Sequence, residues 1–276
     1  MSDVEEAVGL FGPASISWRI DREVLVLAGG SCALLMQAAH PMVAAGVVEH
    51  STYATDPFGR LMRTLTSSFD VIFGSRSRAE ATIRRVNAIH GAVHGALPSG
   101  ARYSALDPEA LLWVHATLVD TALRVYGRFV VPLSPAEEQA YHAECVRVAV
   151  LLRVPVADIP PTIEELRAWM DEMIRSGRVR VTPAAREIAR AVLYPVRWTP
   201  RLAWDAAHLV SLATLPDPLR RQYGIRWSPT RDRGLDRVAA ATRLALPLVP
   251  GFLRYAPQAR TADRRVRQVN ERAPGR

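Results

Sequence analysis

Five residues between positions 59 and 95 have side chains suited to binding or catalysis: Arg60, Arg63, Thr64, His90 and His94. On a helix, Arg60 and Thr64 lie four residues apart on one face, and Arg63 is rotated by about 60° from Arg60. A guanidinium inside an apolar pocket needs an anionic partner, such as a carboxylate or a bound oxygen species. The first three residues therefore fit one wall of a binding pocket, and they fit equally well a surface helix that follows a capping loop.

The two histidines are also four residues apart, so on one helix both rings project from the same face. That spacing suits two ligands of one metal ion. It also suits a haem ligand whose neighbour borders a propionate or faces water. The zinc-protease pattern HExxH is missing, because Gly91 stands where the catalytic glutamate would be. Spacing alone leaves a non-haem metal site, a haem site and an ordinary core as alternatives.

Other histidines could complete such a site. His40 and His115 stand in strongly apolar stretches, whereas His142 lies among glutamate and arginine residues and is predicted to be at the surface. A lone histidine on an apolar face is more often a hydrogen-bonded core residue than a ligand. Several of them in the first 115 residues favour a functional site.

Two predicted helices would position these side chains. Apolar residues recur at helical spacing at Leu61, Leu65, Phe69 and Ile72, and this pattern predicts a helix over residues 60–73. Ser75 or Ser77 then offers an N-cap for a second helix that ends near Gly95, with Glu80 close to the capping-box position for Ser77. The pair would form the two walls of a buried cofactor pocket.

The rest of the chain shows the same helical pattern. Asp107-Pro108 and Ser134-Pro135 are helix-start signals, and the first opens a long, nearly all-apolar helix that must be central. Further helices are predicted over residues 162–176, 182–193, 200–212, 229–246 and 256–272. Residues 24–48 are the most apolar stretch, and we interpret them as two buried helices broken at Pro41 rather than a membrane span. No sustained alternation predicts strands, so we expect one all-α domain over residues 1–276 with about a dozen helices.

Composition limits the classes of function. All 35 cationic residues among the 276 are arginine, which excludes chemistry that needs a lysine. Seven arginines within residues 254–276, set against Asp263 and Glu271, carry +5 of the +8 net charge. No nucleic-acid partner is therefore expected, and the Arg-rich C-terminal segment is predicted to be a solvated helix face. Docking of that segment on an acidic partner or a membrane surface is the alternative.

Cysteine usage and the N-terminus indicate the compartment. Cys32 and Cys145 provide neither a disulfide framework nor a zinc knuckle. The N-terminal MSDVEEAVGL is acidic where a secretory signal would be basic. A cytoplasmic location is expected.

Four motifs together resemble one protein family. LLMQAAHPMVAAGVVEHS, DPFGRLMRTLTSSFDVIFGS, VNAIHGAVHG and YSALDPEALLWVHATLVD follow one another as in the DUF2236 family, which contains the latex clearing proteins (rubber oxygenases) and the ER-bound oxygenase of mycophenolic acid biosynthesis. The similarity covers roughly residues 18–267. It implies an all-α, globin-like helical core around a buried haem b pocket, a histidine as proximal iron ligand, and dioxygen as co-substrate.

The resemblance can be carried over to particular residues. The family's Arg-x3-Thr motif falls on Arg60 and Thr64, and its ligand histidine falls on His90, with His94 as the alternative. In the rubber oxygenases a lysine follows that arginine by three residues and can cap the iron. Here Arg63 holds this position and stays protonated, so it cannot be a neutral ligand. The family's catalytic glutamate has no clear counterpart, Glu49 being the nearest acid.

These observations predict a cytoplasmic haem-dependent oxygenase that uses dioxygen, or peroxide, on an apolar small molecule. Arg60, Arg63 and Thr64 form the predicted catalytic side, His90 the predicted iron ligand, and His40 and His115 line the pocket. Cleavage of polyisoprene is not expected, because the distal residues differ and latex is extracellular. Two alternatives remain open: a non-catalytic helical protein that binds haem, a lipid or a pigment, and a His-rich non-haem metal enzyme.

Overall fold

The computed structural model describes residues 2–196 and 199–272. These residues form sixteen α-helices, three short 3-10 segments and one two-stranded sheet. The first eight helices are α1 (Asp3–Val8), α2 (Ile16–Asp21), α3 (Gly30–Ala38), α4 (Pro41–His50), α5 (Pro57–Phe73), α6 (Arg76–Ala92), α7 (Pro108–Phe129) and α8 (Pro135–Leu151). The others are α9 (Ile163–Arg175), α10 (Pro183–Leu193), α11 (Arg201–Ala207), α12 (Leu209–Thr214), α13 (Asp217–Gln222), α14 (Pro229–Ala245), α15 (Gly251–Arg254) and α16 (Pro257–Arg272). Strands β1 (His94–Ala96) and β2 (Arg102–Ser104) pair antiparallel.

The predicted central helix is α7. Its N-cap Asp107 accepts a hydrogen bond from the Ala110 backbone N–H at 2.9 Å, and Pro108 occupies the first turn. Both features satisfy or remove a donor that a helix start leaves unpaired. The helix buries Trp113 completely and packs against α3, α8, α9 and α14. The prediction of a mainly helical single domain is confirmed.

Helix α8 begins as its sequence predicts. Ser134 and Glu137 form a capping box, in which the Ser134 hydroxyl accepts from the Glu137 N–H and the Glu137 carboxylate accepts from the Ser134 N–H at 2.8 Å. The predicted helix over residues 200–212 differs, because it divides at His208 into α11 and α12.

The most apolar stretch divides into a 3-10 segment (Val24–Gly29), α3 and α4. Among the described residues, no single helix is long and apolar enough to cross a membrane. The segments before and after Pro41 meet such a criterion only as a pair, with a bend of 103° between them. Pro41 stands at the first position of α4, where the ring is tolerated, so the chain turns just before it. Cys32, Leu35 and Met36 of α3 lie in the largest core cluster.

Part of the Arg-rich C-terminal segment is built into the core. Helix α16 buries Ala259, Ala262 and Val266 against α1 and α5, whereas Arg264 and Arg267 are exposed, so the predicted solvated face is one side of a helix whose other side packs on the core. Arg254 pairs with the buried Glu23 at 2.6 Å. Arg265 donates to the backbone carbonyls of Ala7 and Phe73. The apolar side of α16 is buried because its small apolar residues, three and four positions apart, form one face that packs closely on another helix. Residues 273–276 of the segment lie outside the described residues.

Candidate functional site

Helices α5 and α6 form an antiparallel pair that places Arg60 and His90 at the same end. Each helix has 17 residues, and only Gly74 and Ser75 connect them. Near the connection, Asp70 of α5 accepts from the Arg78 side chain of α6 at 2.7 Å. Because both helices rise by about 1.5 Å per residue, positions at similar distances along the chain from the turn lie at the same end of the pair. Arg60 precedes the end of α5 by 13 residues and His90 follows the start of α6 by 14.

The two ends of this helix pair differ in burial. Near the turn, the side chains pack into a core cluster with α1, α2 and α16, among them Phe69, Val71, Phe73, Ala79 and Ile83. Residues 57–68 and 84–92 include no buried residue, and we call these two ranges the open end. Four large apolar side chains of the open end are exposed, namely Phe58 at 50%, Leu61 at 39%, Met62 at 57% and Ile89 at 57%. Exposed apolar residues grouped on one element of a folded chain indicate a binding surface.

Arg60 has the properties of a cation without an internal partner. Its side chain is partly buried, and no described carboxylate lies within ion-pair distance of its guanidinium. Burial, with a smaller contribution from the positive charge of Arg63, lowers the pKa of Arg60 below its usual range. A desolvated guanidinium is stabilised by an anion that reaches it from outside.

Arg63 and Thr64 are held differently. Arg63 is exposed and donates to the Asp56 carboxylate at 3.0 Å and to the Thr52 hydroxyl at 2.8 Å, so it ties α5 to the preceding loop. The Thr64 hydroxyl donates to the Arg60 backbone carbonyl at 3.0 Å. Both side chains lie at the open end, and their predicted catalytic roles stay predictions.

His90 lies in the last turn of α6 and is partly buried. Its Nδ1 atom is buried and has no hydrogen-bond partner among the described residues. Burial lowers the pKa of His90 below its ordinary value, so the imidazole is neutral at pH 7. A neutral ring is the form that ligates a metal ion, and a ligating histidine usually needs a partner for its other nitrogen.

His94 does not share this helix, so the prediction of two histidines on one helical face is wrong. Helix α6 ends at Ala92, and His94 begins strand β1 with an exposed side chain. Ser75, rather than Ser77, caps α6, because the Ser75 hydroxyl accepts from the Arg78 N–H. The hairpin went unpredicted because three-residue strands are too short to show alternation.

Helix α4 packs beside the hairpin and the end of α6. A Cβ atom on Gly46 would lie 3.3 Å from Val93 Cγ1, so the two backbones approach closely. Further along α4, the Glu49 carboxylate accepts from the Tyr103 hydroxyl at 2.5 Å. Burial, and then this hydrogen bond, raise the pKa of Tyr103 to about 12. Sequence reasoning missed this acid–phenol pair, because its members are 54 residues apart and no local pattern joins them.

His40 begins α4, at the end of that helix remote from the hairpin. It is 3% exposed, and its Nε2 lies 3.8 Å from the Glu109 carboxylate at the start of α7. Burial lowers the pKa of His40, and the negative charge of Glu109 opposes this shift. His40 Nδ1 is also buried without a hydrogen-bond partner among the residues described.

His115 lies beside His142 of α8, inside the main core. Burial, with a smaller contribution from His142, lowers the pKa of His115 to about 4. The prediction that His142 is at the surface is wrong, since its side chain is completely buried and its Nε2 lies 2.8 Å from the Pro160 carbonyl. The charged residues around His142 in sequence occupy other faces of α8, which the sequence neighbourhood alone concealed. The main packing partners of α7 do not include α5 or α6.

The described residues do not form a cluster of metal ligands around these histidines. Within residues 2–196 and 199–272, no group of three or more His, Cys, Asp or Glu side chains could hold a metal ion. Arg60, Arg63 and Thr64 of α5 and His90 of α6 lie at the open end of the helix pair, which also carries the exposed apolar side chains, and their roles as site residues stay predictions.

Comparison with known proteins defines the class of this protein. Residues 18–244 match the family described as "ER-bound oxygenase mpaB/B'/Rubber oxygenase, catalytic domain". The chain belongs to this family of oxygenases, as its motifs predict. Two similar proteins, one from Mycobacterium bovis and one from Mycobacterium tuberculosis, are named only as uncharacterized. Each is 27% identical over 230 residues, which cover 79% of this chain and 87% of the relative. No solved structure matches the chain significantly.

Proposed function

We propose that the protein is a haem b-dependent oxygenase that acts with dioxygen, or peroxide, on an apolar small molecule. One observation carries the proposal: the open end of the α5–α6 pair combines exposed apolar side chains, a guanidinium with no ion-pair partner among the described residues, and a partly buried histidine whose pKa is lowered by burial. An apolar macrocycle with two carboxylates and a metal would engage all three features. Membership of an oxygenase family supports the same conclusion.

The residues at the open end fit such a group. His90 would hold the iron, because burial lowers the pKa of its imidazole and so favours the neutral form that ligates a metal. Arg60 would pair with a propionate, since a carboxylate offers its guanidinium the charge-assisted hydrogen bonds it lacks. Phe58, Leu61 and Met62 would cover the apolar faces. Binding would then remove exposed apolar surface and a desolvated free charge together.

The haem group, when bound, supplies the oxygen chemistry. The residues of this chain would bind, orient and desolvate. Phe58 and Met62 would exclude water from the site. Thr64 is the nearest hydroxyl along α5 to Arg60, and because its proton is donated to the Arg60 carbonyl, its oxygen would accept a hydrogen bond from a bound substrate. Burial lowers the pKa of His40, which lies at the end of α4 remote from the hairpin, so its place in the pocket wall stays a prediction.

The geometry favours other roles for Arg63 and His115 than the predicted ones at the pocket. Arg63 already bonds to Asp56 and Thr52, which supports a role in holding the loop before α5. His115 lies in the core beside His142, so a role at the pocket would need contact through α7. The expected cytoplasmic location belongs to this proposal and awaits cell fractionation.

The absorption spectrum from 350 to 700 nm, before and after dithionite, tests the proposal. Protein supplied with hemin should show a Soret band, and His90→Ala should remove it or shift it strongly. His94→Ala is the matched control, because His94 is exposed on β1 and four residues away. A full-strength, unshifted band in His90→Ala would refute the ligand assignment. A preparation that stays colourless with hemin would instead favour the non-catalytic alternative.

A further inference from the structure

A cavity lies apart from the open end of α5 and α6. It has a volume of about 560 Å³ and is formed by α10, α11, α12, the loop after α13 and the start of α14. This volume is within the range of about 300–1,000 Å³ that small-molecule sites occupy. None of the predicted haem-site residues lines it.

The floor of the cavity is apolar. Leu193 and Leu212 are buried there, and Ile225 and Leu209 are partly buried. Leu202, 79% exposed, stands among the lining residues on α11. Binding of an apolar chain or ring would remove this apolar surface from water, which is favourable.

The wall of the cavity is strongly cationic. Among the described residues, five arginines and one acid, Asp205, line it, a net charge of +4 for this part of the lining; the arginines are Arg186, Arg190, Arg201, Arg226 and Arg231. No carboxylate of the described residues forms an ion pair with any of the five. Asp205 instead accepts a hydrogen bond from the Tyr194 hydroxyl at 2.8 Å.

The known contacts of these arginines are weak. Arg201 lies over the Tyr194 ring with its Cζ 4.5 Å from the ring centroid, and Arg231 lies 5.8 Å from the Trp227 ring centroid. Arg186 donates to the Gln222 backbone carbonyl at 3.3 Å. Each guanidinium therefore keeps donors for another group, and Arg binds carboxylate and phosphate oxygens with two parallel hydrogen bonds.

We propose that this cavity binds an apolar molecule with one anionic headgroup, a carboxylate or a phosphate ester, with its chain on the floor and its headgroup among the arginines. The apolar floor alone would accept a neutral chain, and the cationic wall alone would accept a free anion. The juxtaposition of both selects the amphiphile. This site goes beyond the proposed oxygenase centre and does not depend on haem.

Calorimetric titration with four probes tests the proposal: decanoate, decyl phosphate, decanol and inorganic phosphate. Both anionic amphiphiles should bind, whereas decanol should bind at least tenfold more weakly and inorganic phosphate should not bind measurably. Raising NaCl from about 0.05 to 0.5 M should weaken decanoate binding severalfold, because partly exposed charges are screened. Equal affinity for decanol and decanoate, or no binding of either amphiphile to the wild type, would overturn the proposal.

Two variants locate the site. Arg190→Gln combined with Arg201→Gln should weaken decanoate binding at least tenfold and leave decanol binding unchanged. Ala206→Trp should block both ligands, since Ala206 is exposed at the lining and a larger side chain there need not disturb the core. Decanoate binding that survives both variants would refute this location.

The matched controls carry the same changes elsewhere. Arg264→Gln with Arg267→Gln removes two exposed arginines of α16, and Ala241→Trp enlarges an exposed alanine of α14. Neither should alter decanoate binding. His90→Ala should also bind decanoate normally, so failure of the haem assignment and failure of this site remain distinguishable.

Discussion

Replacing Arg60 by glutamine should separate cofactor binding from folding stability. The Arg60 guanidinium is partly buried, and no described carboxylate pairs with it. Its removal therefore breaks no ion pair and relieves a desolvated charge. We expect the free energy of unfolding to stay within about 0.5 kcal/mol of the wild type, or to rise.

The haem-bound state should respond strongly to the same change. A hydrogen bond to a charged group contributes about 1.5–3 kcal/mol, which corresponds to about 10- to 150-fold in affinity. Because Arg60 is only partly buried, we expect the lower part of that range, about 10- to 30-fold weaker hemin binding. Hemin titration followed at the Soret band gives the affinity, and urea unfolding followed by circular dichroism gives the stability.

Arg63→Gln is the matched control, three residues along the same helix. Arg63 is exposed and bonds to Asp56 and Thr52, so its loss should cost about 0.2–1 kcal/mol of stability and leave hemin affinity within about threefold. The two variants should thus give opposite patterns. Unchanged hemin affinity in Arg60→Gln, or a loss of more than about 1 kcal/mol of stability there, would refute the assignment of Arg60 as an anion partner.

Two further predictions concern stability. In Gly95→Ala the new Cβ would lie 2.7 Å from both the Glu49 carboxylate and the Tyr103 hydroxyl. The free energy of unfolding measured in urea should therefore fall by about 1–3 kcal/mol. An unchanged free energy of unfolding would mean that the hairpin can shift. The pKa of His115 is lowered to about 4 in the folded protein, so the unfolded state binds more protons between pH 6.5 and 4. The free energy of unfolding should therefore decrease by about 1–3 kcal/mol as the pH is lowered from 6.5 to 4. His115→Gln should remove this part of the pH dependence. The pKa of Asp21 is raised to about 7, chiefly by burial, so the stability that its protonated form contributes is lost as the pH rises from about 4 to 7. Asp21→Asn should remove that loss. A variant whose pH profile of stability is identical to that of the wild type would contradict the corresponding assignment.

Local sequence signals determined much of the fold. The cap and proline signals at Asp107-Pro108 and Ser134-Pro135 are satisfied within four residues of chain, so they give correct helix starts. Hydrophobic spacing likewise predicted α5 to within a few residues, because the period of a buried helix face is a local property. The placement of Arg60 and His90 at the same end of the α5–α6 pair followed from two helices joined by a short turn.

Other features needed the tertiary structure. His94 left the helix because the chain pairs in a hairpin with residues 102–104, a contact that no local pattern encodes. His142 is buried because α8 turns that face toward the core, although its neighbours in sequence are charged. The pair of Glu49 with Tyr103 and the arginine-lined cavity join residues that are far apart in the chain. Sequence by itself determined the family and the approximate positions of most of the predicted helices, since both are recorded in short motifs. Only the packing of the helices decided which side chains stay unpaired, because burial and pairing depend on elements that meet after folding.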